Sequence, residues 1–291
     1  MKIDDNKLLM AWPNHVDQAN LVGGNFRPTL PLSNAKNRVF AKKARTVDLQ
    51  SSGSTFDIVL DGSKKIDVLG IAAHNLSTSA TIRWKMYLDS AKTDLIYDSG
   101  VISVWPVVFA EGELEWEENN FWEATVNQED IQSYTPLTYH IVREEEMKYP
   151  TVITVEISDE SNFLGYVEFG RVFAGTGYQP SLNMSYGATL GFENNTSLET
   201  SLGQTEYFDV KTPRRIAEFT LDAVTVDEGH GTLLRMQRQQ GIDKEIFFTY
   251  LAAQTPLQYN RTFIGRLKQP DVISQPYVDR LQNRIQLLEI V

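Results

Sequence analysis

The residues of this chain that could do chemistry are many, but few are spaced for it. The four histidines, His15, His74, His140 and His230, are scattered. None stands in the H-x-x-x-H or H-E-x-x-H spacing that brings two imidazoles to one metal. His74 follows an apolar run in GIAAHNLS and reads as a hydrogen-bonded residue at a strand end, not as a ligand or base. There is no cysteine, which excludes disulfides, thiolate metal sites and a cysteine nucleophile. Gly175-Thr176-Gly177 lacks the third glycine, the Lys-Ser/Thr ending and the following helix of a phosphate-binding loop. No G-x-S-x-G elbow occurs. The short basic run Lys42, Lys43 and Arg45 reads as a solvated face on an acidic protein.

Carboxylates are densest in EGELEWEENNF, residues 111–121. A calcium loop would need the D-x-[DN]-x-[DN]-G spacing, which is missing. The aromatics Trp116 and Phe121, with Trp122 and Trp105, could stack on a sugar ring, making them candidate glycan contacts. A glycan-cleaving or peptidoglycan-cleaving pair drawn from Glu111 to Glu118 is a further alternative. Neighbouring acids in one loop are nevertheless not a pair set across a cleft. The simpler reading is an exposed acidic loop pinned by aromatic anchors. No catalytic residue, metal or cofactor is expected.

Composition narrows the classes further. The 291 residues suit one large or two ordinary domains, and 42% hydrophobic content supports real cores. The net charge of −11 argues against a protein that mainly binds phosphate backbone. From Tyr178 onward there are 11 Lys+Arg and 13 Asp+Glu, a net of −2; the part before it therefore carries −9. The start, MKIDDNKLLMAW, has neither a basic n-region nor a long apolar h-region, and no run reaches membrane-spanning length. A soluble chain made in the cytoplasm, without membrane insertion, is expected.

The elements that would hold these residues are mostly strands. Residues 1–50 read as an extended lead-in with isolated apolar anchors, punctuated by Pro13, Gly23-Gly24, Pro28 and Pro31. Alternation then predicts strands at Phe56 to Leu60, Ile66 to Ile71 and Ile82 to Leu88, with turns at Asp61-Gly62 and Asp98-Ser99-Gly100. Val101 to Phe109 reads as an apolar strand pair interrupted by Pro106, and Gln128 to Tyr134 as a short helical hint. Ile153, Val155 and Ile157, then Val167, Phe169 and Val172-Phe173, read as two half-buried strands of one sheet. Short strands with regular turns predict an antiparallel β-sandwich. Gly175, Gly177 and Pro180 end the pattern, which puts a boundary near Gly175 to Tyr186 and divides the chain into 1–177 and 178–291.

The second part opens with a polar stretch, Leu182 to Thr205, that could form a long hairpin or arm. Ala217, Phe219 and Leu221 alternate as a strand. Thr225 and Glu228 have capping-box spacing, and Gly241 stands where a helix ends, so one helix is predicted between them. Further strands are predicted at Ile246 to Leu251, Thr262 to Leu267 and Arg284 to Val291, giving a small α+β unit.

The segments LLMAWPNHVDQANLVGGNFRPTLPLSNAKNRVFAKKART, FDIVLDGSKKIDVLGIAAHNLSTSATIRWKMY, YDSGVISVWPVVF and NMSYGATLGFE together resemble tail proteins of tailed phages and prophages. That resemblance implies a discoidin or galactose-binding-like jelly-roll sandwich in the first part. In it, the FDIVLDG, IDVLGIAAHN and YVEFGRVFAG strands would share one sandwich. The element order of the second part resembles the ring-forming domain of distal tail and tail-tube proteins. The implied role is a non-enzymatic tail-tip or baseplate component, located in the virion. It would form a ring, a hexamer by that resemblance, joining tail tube to adsorption apparatus. The implied partners are copies of itself and neighbouring tube, tape-measure and hub proteins, with no stable nucleic-acid binding. The inter-subunit arm would include Glu193, Asn194, Asn195, Leu198 and Leu202. The alternative is a carbohydrate-binding module, or an adsorption protein contacting host surface glycans.

Overall fold

The computed structural model describes residues 2–105, 135–144, 146–253 and 258–291. In the first part the strands are β1 (Leu9–Asn14), β2 (Asn20–Gly23), β3 (Ala44–Arg45), β4 (Phe56–Val59), β5 (Val68–Ala72) and β6 (Thr81–Tyr87). They continue with β7 (Leu95–Asp98), β8 (Ile102–Ser103), β9 (Leu137–Ile141), β10 (Val152–Ser158), β11 (Glu168–Phe169) and β12 (Arg171–Tyr178). The second part adds β13 (Thr189–Glu193), β14 (Ser197–Thr200), β15 (Glu206–Asp209) and β16 (Arg214–Val224). After the helix come β17 (Glu245–Thr249), β18 (Thr262–Leu267), β19 (Ser274–Tyr277) and β20 (Arg280–Glu289). The protein is mainly β, and every strand pairing among the described residues is antiparallel.

Two sheets carry the first part. One runs β2-β4-β10-β6-β7, with β8 also on β6; facing it are β12, β5 and β9 of a larger sheet. The two inner faces meet in one core, where Phe56, Ile58, Trp84, Met86 and Ile153 lie against Leu69, Ile71, Val172 and Ala174. This is the expected antiparallel sandwich, built from inward-facing alternate residues. β6 shows the cause plainly: Ile82, Trp84 and Met86 are buried while Thr81, Arg83, Lys85 and Tyr87 are half-exposed. One expectation is corrected. Val152–Ser158 and Arg171–Tyr178 are not neighbours in one sheet but belong to the two opposed sheets. Both are buried nearly throughout the parts that meet the core, so alternation alone could not assign them to a common face.

The larger sheet does not stop at the sandwich. Its order is β13-β16-β20-β18-β17-β1-β12-β5-β9, with β19 on β20. β1 pairs with β12 on one side and β17 on the other, so the first strand of the chain joins both parts into one sheet. Leu8, Leu9, Met10 and Ala11 are fully buried. Met10 and Trp12 face a core with Phe219, Phe248 and Phe263, whereas Leu9 and Ala11 face a core with Phe173, Phe247 and Ile264. The lead-in expected as an irregular segment therefore begins with a central strand buried on both faces. The run Leu8-Leu9-Met10-Ala11-Trp12 is continuous rather than alternating for that reason. β12 likewise continues through Gly175 and Gly177 to Tyr178, past the point where the pattern lapses. Both glycines answer to close approach: a Cβ on Gly175 would lie 2.7 Å from the Phe173 ring, and one on Gly177 would lie 3.0 Å from Asp67.

The predicted helix spans 226–240 in three segments: Val226–Glu228, a π-helical turn Gly229–Leu233, and Leu234–Gln240. Thr225 caps it by accepting the Glu228 N–H at 3.3 Å, and Gly241 ends it with φ of 52°. Leu233 and Met236 are its buried stripe, set against Phe219 and Leu287. Only half of a capping box forms. The Glu228 carboxylate takes the Tyr178 hydroxyl at 2.7 Å and the Ser181 Oγ at 2.7 Å instead of reaching back to its own cap.

Candidate functional site

Of the four candidate glycan contacts, Trp105 is described and it is core. It is 6% exposed, its indole N–H donates to the Leu76 carbonyl at 3.0 Å, and it stands edge-on to His74 at 5.4 Å. A ring used in this way offers no face to a sugar. Trp116, Phe121 and Trp122 lie outside the described residues, as do the acidic stretch 111–121 and the helical hint at Gln128 to Tyr134.

The histidines are not brought together. Burial, helped by Lys43, lowers the His74 pKa to about 3. Its Nδ1 accepts the Leu76 N–H at 3.3 Å, which places the proton of the neutral ring on Nε2. This agrees with the strand-end role expected of it. Burial also lowers His140 to about 4, with Arg143 adding to the effect, and its Nε2 lies 2.5 Å from the Tyr97 hydroxyl. His15 is lowered by burial and by Lys64, and its Nε2 lies 3.2 Å from Thr176 Oγ1. Among the described residues no group of three or more His, Asp or Glu is placed to hold a metal ion. The basic run is less solvated than expected. Lys43 donates to the Ala73 carbonyl, and Arg45 pairs with Glu168 while lying 4.1 Å over the Tyr166 ring.

The polar stretch after Leu182 gives the most unusual surface. β13 pairs with β16 along the edge of the large sheet, with Glu193 opposite Arg214. Between those two residues the chain leaves the sheet and forms a second hairpin, β14 with β15, in which every residue is exposed. Directly paired residues share a face, so Leu198 and Phe208 stand side by side on one face of the hairpin. They are 52% and 58% exposed, and Val210, two residues beyond Phe208, is more exposed still. Leu202 at the tip is fully exposed. The arm residues expected from the sequence therefore divide. Leu198 and Leu202 belong to the projecting hairpin. Glu193 anchors its root through Lys268 at 2.6 Å, and Asn194 turns the chain by accepting the Thr196 N–H at 2.9 Å. Asn195 lies between that turn and β14. Tyr207, Phe208 and Val210 were not anticipated, although E-Y-F-D-V does carry a strand-like alternation. Beside the root, Leu190, Phe192, Ile216 and Arg261 line a cleft of about 310 Å³.

A two-stranded hairpin is marginal alone in water, and an exposed apolar face on an edge element is a surface for pairing with another chain.

No protein-family profile matches this chain, and no curated protein matches it. Solved structures similar to part of it are carbohydrate-binding modules of family 32 from Clostridium perfringens. The CBM32-4 module of CpGH89 has 12% identity and a TM-score of 0.35 over 57% of this chain and 100% of its own. The same module in complex with GlcNAc-α-1,4-galactose has 13% identity and a TM-score of 0.35 over 57% and 94%. The CBM32-1 module of a family 31 glycoside hydrolase has 9% identity and a TM-score of 0.37 over 57% and 99%.

Proposed function

We propose that this protein is a non-catalytic structural subunit that assembles with copies of itself through its projecting hairpin. In this reading it forms a closed ring of the kind implied by its resemblance to phage tail-tip proteins. One observation carries the reading: an entirely exposed hairpin that presents Leu198, Phe208 and Val210 to solvent. Such a face gains from burial at roughly 25 cal/mol per Å² of apolar area once a partner covers it. The partner that is always available at matching concentration is another copy. A head-to-tail contact of this kind closes into a ring when its rotation divides a full turn. Mass measurement with negative-stain imaging of the purified protein tests it. Rings, sixfold by the phage resemblance, are the expected result; a monomer at every concentration would overturn the reading.

A second reading has an observation of its own. Phe163 is 84% exposed in the loop that follows β10, on the sandwich. The loop is held by polar contacts: the Asn162 amide donates to Asp159 at 2.9 Å and to the Asn75 carbonyl at 2.9 Å. An exposed ring on a fixed polar loop is the type of group that stacks on a sugar. Glycan binding, the property named for the Clostridium modules, is proposed here on Phe163 alone. Glycan-array binding that is lost in Phe163→Ala supports it, and an array without hits removes it.

A further inference from the structure

Where the two parts of the large sheet meet, the end of β12 and the π-helical turn face one another across a groove of about 370 Å³. We propose that this groove binds a saccharide unit carrying a single carboxylate, such as a uronic or sialic acid. The proposal is independent of the hairpin and of Phe163, which do not line it.

Three features mark the groove as more than a seam. The first is Gly231. A Cβ there would meet nothing within 4 Å, and its φ is not positive, so neither packing nor backbone requires glycine. Glycine inside a helix costs about 1 kcal/mol relative to alanine. Gly229, two residues earlier, is different: its Cβ would lie 2.4 Å from buried Leu281. Packing thus explains Gly229, whereas Gly231 borders open space in the groove that only a larger side chain would fill. The second feature is the π-turn itself, a rare geometry that concentrates at functional sites. The third is Arg235. It lines the groove, is exposed, and makes no ion pair among the described residues, so its guanidinium is available to a ligand.

The lining selects the ligand class. Half-buried Tyr178, tilted at 58° and 5.2 Å from the buried Trp12 ring behind it, supplies the aromatic surface of the groove. Thr232 and Gln239 supply polar groups without hydrogen bonds among the described residues, suited to sugar hydroxyls. Arg235 supplies the planar fork that holds a carboxylate by two parallel bonds. A dianionic phosphate is disfavoured. There is no glycine loop, the helix N-terminus is already capped by Thr225, and the Glu228 carboxylate stands behind Tyr178. An extended peptide is disfavoured because β1 is paired on both edges and, past Gly175, the outer edge of β12 is occupied by the Asp67 carboxylate, which accepts the Gly177 N–H at 2.8 Å.

Titration of the full-length protein with glucuronic acid, N-acetylneuraminic acid, galactose and inorganic phosphate tests the assignment, read by calorimetry and by Trp fluorescence. Both acidic sugars should bind at least roughly tenfold more tightly than galactose and phosphate. Arg235→Gln should remove that preference while keeping the melting temperature. Gly231→Leu should remove binding of both acidic sugars with the fold kept, and Gly231→Ala should retain it. No binding of either acid, phosphate binding as tightly as the acids, or an unchanged preference in Arg235→Gln would each overturn the proposal.

Discussion

The charged residue buried most deeply lies at the joint of the two parts. Arg171 is fully buried on β12, and its guanidinium meets the Glu245 carboxylate of β17 with Nε 2.9 Å from both oxygens. It also donates to Asp17 and to the Lys36 carbonyl, while the Asn14 amide donates to Glu245 at 2.5 Å. Burial alone would lower the Arg171 pKa; Glu245 and Asp17 outweigh it and raise the value, so the group stays charged. Removing Glu245 leaves the buried guanidinium only Asp17, at the edge of the site, and the Lys36 carbonyl, a loss of up to about 3–5 kcal/mol. Glu245→Ala should therefore lower stability by that amount in urea unfolding. The pair replaced together, Arg171→Met with Glu245→Leu, should recover a large part, and a double variant as unstable as the single one would refute the account. The histidines make a separate, pH-dependent prediction. His74 and His140 titrate in the folded state at about 3 and about 4, below the unfolded value of 6.5. For a base lowered in this way the stabilising term is complete above 6.5. As pH falls from 6.5 toward 4 the unfolded chain takes protons that the folded one refuses. Each ring then subtracts about 1.4 kcal/mol per pH unit. Urea midpoints should fall steadily from pH 6.5 to 4.5, a window above most carboxylate titration, and His140→Gln should make that fall shallower, with His74 and His15 carrying the rest. A flat profile over that range would contradict the burial of both rings.

At the scale of elements, the helix 226–240 separates two glycines that look alike in sequence. Gly231→Ala should raise stability by about 1 kcal/mol, since it adds helix propensity in open space. Gly229→Ala should lower it, because Leu281 is buried and would have to move. Thermal unfolding of the two variants checks the contrast, and equal shifts would undo it. The helix was legible because its signals are local: a cap at Thr225, a left-handed stop at Gly241, and Leu233 and Met236 between them. β6 and β18 were legible for a similar reason, a strict period or a compact apolar run between turns. β1 was not. A strand buried on both faces has no alternation to read, and five apolar residues beside Pro13 do not reveal that β12 and β17, distant in sequence, will flank them. The opposed placement of β10 and β12 was hidden by the same cause. The arm was half legible. Its length and polarity stood out in Leu182 to Thr205, but its second strand lay beyond that stretch. Phe208 takes its meaning only from standing opposite Leu198. The groove around Arg235 could not be read at all, since its lining comes from three segments that only the fold unites.

For the whole molecule, the hairpin 194–213 is an insertion within another hairpin. β13 and β16 are already in register, with Glu193 opposite Arg214, so the chain could pass directly from one to the other. A two-residue Asn-Gly turn is the shortest connection suited to that geometry. The inserted residues are exposed and contribute little to any core. Replacing 194–213 by Asn-Gly should therefore leave the folded protein intact, with a melting temperature within a few degrees of the parent. It should also abolish association, because the only described face of Leu198, Phe208 and Val210 goes with it. A milder variant, Leu198→Asp with Phe208→Asp, keeps the hairpin but places charge where a partner would exclude water, and it should have the same effect on association. The two variants separate the arm's length from its chemistry. If light scattering finds the short variant monomeric and the charged one still assembled, backbone pairing and not apolar burial holds the subunits together. If both assemble as the parent does, the hairpin has no part in assembly, and the free edges of β13 and β19 are left in the second part to join copies by strand pairing.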